Sequence, residues 1–171
     1  MNSVRYPIGQ FELTAPVSDL EVKEAIDTLR RFPKKLRQVV DQLTDADFHK
    51  TYRPNSWTVQ QLIHHLADAQ IHYYIRCKAA ITENAPTVST FDENAWAVLS
   101  DTELRPDVSL SIIASINMRL TQFLDNLDVT DIYRTVNHPE KGELPISQLI
   151  VMAAWHCEHH LAHIQLAIKT N

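Results

Sequence analysis

Glycine is nearly missing from this chain, with only Gly9 and Gly142 among 171 residues. Turn-rich β folds draw on glycine at their hairpins, so its scarcity argues for helices. Two cysteines, Cys77 and Cys157, are too few for a disulfide framework, and both are expected as reduced thiols. No run of lysine or arginine stands out, and the formal net charge is -5. That balance lacks the basic face a nucleic-acid partner requires. The longest apolar run, Leu149 to Trp155, falls far short of the ~18–20 residues that cross a bilayer. The stretch MNSVRYPIGQ holds no apolar signal core, so the default expectation is a cytoplasmic protein with no membrane partner.

The composition is that of a globular protein, 44% hydrophobic, without repeats or a low-complexity linker. Its length suits one domain spanning 1–171. Pro7, Gly9 and Pro16 predict an extended N-terminal segment over 1–17. Ser18 and Glu21 make a capping-box pattern, followed by Val22, Ala25, Ile26, Leu29, Leu36 and Val40 at helical spacing. The helix so opened should reach about residue 44, with Pro33 kinking or splitting it. Thr58 and Gln61 repeat the capping pattern and open a helix over Val59–Thr82, with Leu62, Leu66, Ala69 and Tyr73 on one face. Residues 85–107 read as a loop with room for one short helix, and a third long helix is expected over Leu110–Leu127. The stretch 131–145 is turn-like, and Ser147 is placed to cap a last helix running to Lys169. The expected fold is all-α: a four-helix bundle with an extended N-terminal segment and a long loop between helices 2 and 3. Periodicity leaves the up-and-down order of the helices open.

The most unusual feature is histidine. Of nine, seven fall in two short helical stretches: His64, His65 and His72 in one, His156, His159, His160 and His163 in the other. Side chains four residues apart share a helix face, so His156 and His160 can aim at one point, and so can His159 and His163. Imidazoles one turn apart can both reach an ion at about 2.0–2.1 Å. Two histidines make only part of a site, and the His64–His65 helix is the obvious donor of a third, as facing helices of bundles often build metal sites. Met152, His156, His160, Ile164 and Ala167 form one stripe, apolar on either side of its histidines, and should face the core. His159 and His163 lie further round, as outer partners or exposed residues. His65 sits between Leu62, Leu66 and Ala69 on the buried face, which favours it over His64. The metal-ligand set expected is therefore His65, His156 and His160, with His64 as a one-residue ambiguity.

Several neighbours carry weaker signals. Cys157 stands where a zinc-protease HExxH motif would need glutamate, and Glu158 points elsewhere, which disfavours that mechanism. Cys157 turns about 100° away from His156 and is not expected as a ligand. Trp57 and Trp155 read as core aromatics. Asp68, one turn after His65, reads as a solvated carboxylate or as a group that orients an imidazole.

Four segments in order, RYPIGQF (5–11), YRPNSWTVQQLIHHLADAQIHYYIRCK (52–78), HPEKGELPISQL (138–149) and AWHCEHHLAHI (154–164), resemble the DinB/YfiT-like family. The resemblance spans nearly the whole chain. It implies a four-helix bundle with a three-histidine metal site, whose ligands carry over as His65, His156 and His160. It also implies a homodimer and one divalent ion, zinc or nickel. Members are grouped as metal-dependent hydrolases, and some relatives transfer the thiol bacillithiol to electrophiles.

Three neutral ligands leave an ion its full charge and open positions, as in catalytic rather than structural sites. The expected activity is metal-dependent transfer of a low-molecular-weight thiol to an electrophilic small molecule. Hydrolysis by activated water, or a non-catalytic metal-binding or ligand-sensing bundle, are the alternatives. Imidazole ligands suit several first-row metals, so ligand type does not name the ion.

Overall fold

The structure, a computed structural model, describes residues 4–12 and 16–169. Four long helices dominate it: α1 (Asp19–Val40), α2 (Val59–Thr82), α4 (Asp107–Leu124) and α5 (Ile146–Lys169), with a short α3 (Glu93–Trp96) in the loop after α2. Both predicted capping boxes form: Ser18 with Glu21 opens α1, and Thr58 with Gln61 opens α2. Each satisfies backbone N–H groups that the first helical turn leaves unpaired.

The order of the bundle is not simple up-and-down adjacency. Both α1 and α2 pack chiefly against α4 and α5, so α1 and α2 sit diagonally, as do α4 and α5. Helices consecutive in sequence thus lie across the core from each other, except α2 and α4. Leu29, Phe32 and Leu36 of α1, Leu62, Ile63 and Leu66 of α2, Ile113 and Leu120 of α4, and Leu149, Ile150 and Leu161 of α5 are buried together. Each such side chain contributes roughly 1.5–3 kcal/mol by leaving water.

Pro33 does not split α1, which runs unbroken through it. Proline has no N–H, so the carbonyl four residues earlier, that of Leu29, loses its helical partner. The buried Asn117 of α4 supplies one instead, its Nδ2 donating to Leu29 O at 2.9 Å. A side chain from another helix therefore removes the cost that made the proline look like a break.

Other boundaries differ from expectation. Helix α1 stops at Val40 rather than near 44, and α4 begins at Asp107 and ends at Leu124, three residues earlier than its apolar stripe suggests. Residues 4–8 form turns rather than an extended strand, with Gly9 N donating to Tyr6 O; residues 1–3 and 13–15 of that segment lie outside the described residues. Ser147 is buried inside α5 and does not cap it. The helix instead continues directly from a strand, and Ile146 N donates to Arg134 O.

That strand belongs to a small hairpin in the stretch expected to be turn-like: β1 (Thr135–His138) pairs antiparallel with β2 (Gly142–Pro145). Gly142 takes φ +74, the left-handed region where side chains are disfavoured. The hairpin buries Val136 and Leu144 and holds the loop after α2 through Asn137 N to Pro86 O and Val88 N to Asn137 O. This lays residues 89–91 over the C-terminal half of α2.

Among the described residues, no helix is long and apolar enough to cross a membrane.

Candidate metal centre

Helices α2 and α5 pack face to face, and each turns histidines into the contact. His65 comes from α2; His156 and His160 come from successive turns of α5. The ligand atoms of the three all lie within 4.8 Å of one another. His65 Nε2 and His156 Nε2 are 3.0 Å apart. Two nitrogens bound to one ion at about 2.0–2.1 Å, and subtending roughly 90–110° at it, are about 2.9–3.4 Å apart. The observed spacing therefore fits one ion between them.

Burial keeps these rings uncharged. It pushes His65 down to about 4. His156 and His160 are pushed well below the ordinary histidine value, by burial first and then by the neighbouring histidines. Metal binding needs the neutral imidazole, so no proton has to be displaced from these rings at neutral pH.

A hydrogen-bond chain selects which nitrogen of His160 is free. His163 Nε2 lies 3.2 Å from Arg5 O, and only an N–H can meet a carbonyl. With that tautomer assigned, His163 Nδ1 is an acceptor. It stands 3.4 Å from His160 Nδ1, which must then carry the proton. His160 Nε2 is left with its lone pair, the state a ligand needs. Tyr52 stacks on the His163 ring at 3.9 Å and holds its plane.

His159, His160 and His163 form a second group with ligand atoms within 4.8 Å. In it, the hydrogen bonds of His163 to Arg5 and His160 mark that residue as an outer support of the trio. Both His159 and His163 are buried, not exposed, because the N-terminal turn and Tyr52 cover that side of α5. The signal for this was present in aromatic residues outside the helices, which helical periodicity ignores.

The remaining candidates fall elsewhere. His64 is buried against α4, with Nδ1 2.7 Å from Ser109 Oγ and Nε2 3.0 Å from Leu104 O, so both its nitrogens are engaged away from the trio. His72 stacks on Phe91 at 4.5 Å. Cys157 is buried and accepts a hydrogen bond from Gln70. Cys77 is buried, and burial pushes its thiol up to about 12. Asp68 is half-buried rather than solvated; burial, then Asp101, raises its carboxyl to about 6. Trp57 and Trp155 are half-buried, Trp57 packed against the core, and both cover histidines: Trp57 lies 4.7 Å from His65 and 6.2 Å from His160, and Trp155 stacks on His159 at 4.4 Å.

Two cavities meet at His65 and His156. The smaller, of about 170 Å³, runs from His65 and His156 along α2 beneath residues 90–91. The larger, of about 480 Å³, opens between Trp57, Tyr52 and the α5 histidines, with Arg5 and Arg53 at its edge. His65, His156 and Glu93 line both. Glu93 was not expected from sequence, since a carboxylate on a four-residue helix in a loop has no periodic signature. Burial, then Glu140 and Asp92, raise its pKa above its ordinary value.

The pattern of the DinB superfamily matches residues 28–164. The chain belongs to the DinB superfamily. A relative from Halalkalibacterium halodurans, named as a candidate metal-dependent hydrolase, is 42% identical over 164 residues, covering 96% of each chain. Among solved structures, this DinB chain is similar to YfiT from Bacillus subtilis, described as a probable metal-dependent hydrolase with an unusual four-helix bundle topology. That match has a TM-score of 0.92 and 34% identity, covering 99% of this chain and 98% of the other. The diagonal placement of α1 and α2 accords with that description. The mycothiol-dependent maleylpyruvate isomerase shares the fold at a TM-score of 0.66 and 18% identity, over 83% of this chain and 60% of its own.

Proposed function

We propose that this DinB chain is a metal-dependent enzyme that binds one divalent ion, zinc or nickel, through His65, His156 and His160. Its reaction, in this reading, transfers a low-molecular-weight thiol to an electrophilic small molecule. The observation that carries the reading is that His65 and His156 stand on a wall common to two cavities, with His160 facing the larger one. Two reactants can then approach one centre from different sides, which a transfer needs and a simple hydrolysis does not.

When bound, an ion held by three neutral imidazoles keeps its charge and lowers the pKa of a thiol or water that it coordinates. The chain's own groups complete the task. His163 holds His160 in the ligand tautomer, and Trp57 covers the trio against bulk water. Glu93 lines both cavities with a raised pKa, so it is placed to take the proton that the nucleophile gives up. The buried Cys77 and Cys157 thiols are held protonated by burial, so the attacking thiol comes from outside the chain.

The second reading is hydrolysis with water as nucleophile, favoured by the names of the hydrolase relatives. The fold neighbour that works with mycothiol indicates that this bundle can host thiol chemistry. Stripped protein reconstituted with Zn²⁺ or Ni²⁺ decides among them, assayed over a panel of electrophiles with and without added thiol. Thiol-dependent turnover that requires metal supports transfer. Metal-dependent turnover without thiol supports hydrolysis. Equal rates for stripped and reconstituted protein would eliminate both, and a stoichiometric ion with no turnover would favour a binding module.

A further inference from the structure

The smaller cavity ends on a cation that the metal-centre reading leaves unused. Arg76 lies on α2 three helical turns after His65, about 16 Å along the axis. His65, Ala69, Tyr73 and Arg76 share the stripe of α2 that lines this cavity. Arg76 is only 8% exposed. Its Nη2 donates to Ser89 O at 2.7 Å, in the loop laid over the cavity by the hairpin. Its Nε is buried with no hydrogen-bond partner among the described residues. Among the described residues Arg76 forms no ion pair.

A buried guanidinium is costly unless an anion answers it. Pinning the Ser89 loop explains one of its donors and needs no full charge. Glu93 and Glu140 also line the cavity and attract Arg76 from a distance, yet among the described residues neither comes within ion-pair reach of it, and Lys141 stands beside them. Burial and Glu140 raise the Glu93 pKa, which weakens its opposition to an incoming anion. What remains is a fixed planar fork with an open donor, at the far end of a cavity that begins at two of the three histidines. Guanidinium groups match carboxylates in shape and charge.

We propose that Arg76 is the anion-binding end of the smaller cavity. The reactant that enters there carries a carboxylate some distance from the group that meets the metal. The proposal rests on the metal-centre reading and adds the chemistry of one reactant to it.

The test uses zinc-loaded protein and linear hydroxamates, which chelate metal whether the natural nucleophile is thiol or water. Each chain length is supplied in two forms, one ending in a carboxylate and the other in the primary amide. Affinities are measured by calorimetry. In wild-type protein one length of the carboxylate form should bind about tenfold or more tighter than its amide, the scale of a charge-assisted hydrogen bond. Arg76→Met should abolish that preference and leave the amide affinity unchanged; Arg76→Lys should keep part of it. Equal affinities at every length in wild-type protein would overturn the proposal, with no variant needed. So would a preference that survives Arg76→Met. Zinc-loaded protein that binds neither form would overturn the open metal centre itself, and the subsite beside it.

Discussion

His65 Nε2 and His156 Nε2 stand 3.0 Å apart, although 91 positions separate the two residues. Both rings are held neutral by burial. Two facing imidazole nitrogens need a proton or a cation between them, since two lone pairs at that distance repel. A divalent ion satisfies both at once. His156→Ala should therefore lose most of the bound metal, measured by elemental analysis of purified protein; retention at full stoichiometry would refute the ligand assignment.

His163 should matter without being a ligand. Its bond to Arg5 O sets the tautomer of His160, and outer-shell partners of this kind typically contribute 10–100-fold to metal affinity. His163→Ala should weaken zinc binding by about that factor in competition with a chelator, while stoichiometry at saturating zinc stays unchanged. A variant that binds zinc as tightly as wild type would remove the relay from the account.

The stripped protein should lose stability in acid over a defined window. Histidine has an ordinary pKa of 6.5, and folding pushes His65 down to about 4. Between these values the unfolded chain binds more protons than the folded one. Stability is thus complete above pH 6.5 and declines as pH falls toward 4, by about 3 kcal/mol from His65 alone. Thermal unfolding of stripped protein across this range should show the decline, and His65→Asn should flatten part of it. A wild-type profile level from pH 7 to pH 4.5 would contradict the assigned burial effect.

Asn117 and Pro33 should be coupled. Asn117→Leu leaves Leu29 O without a donor in a buried place and should cost about 1–3 kcal/mol in denaturant unfolding. Pro33→Ala restores a backbone donor to the same carbonyl, so in that background Asn117→Leu should cost much less. Equal costs in both backgrounds would mean that the two residues act independently.

Much of the fold was readable along the chain because its signals are local. The two capping boxes, the apolar stripes and the lack of glycine each act within a turn or two of helix, and α2 falls over the predicted Val59–Thr82. The failures share one cause. Pro33 looked like a break because Asn117, which pairs with the carbonyl that the proline strands, lies 88 residues from Leu29. The hairpin over 135–145 carries too few residues for a period of two to stand out. The exposed alternative for His159 and His163 failed because the groups that bury them, including Tyr6 and Tyr52, come from segments with no helical pattern.

By itself the sequence determined that two helices would each bring histidines to an apolar face, since spacing along a helix decides which side chains share that face. Only the tertiary structure decided that α2 and α5 are neighbours while α1 and α2 are not. It showed where His64 goes, engaging both its nitrogens with Ser109 and Leu104, where the sequence could only favour His65 from its apolar neighbours. It also gathered Glu93 and Trp57 beside the trio and set Arg76 in the cavity that leads away from it. Those relations depend on how faces pack across long separations in the chain, and no short-range periodicity encodes them.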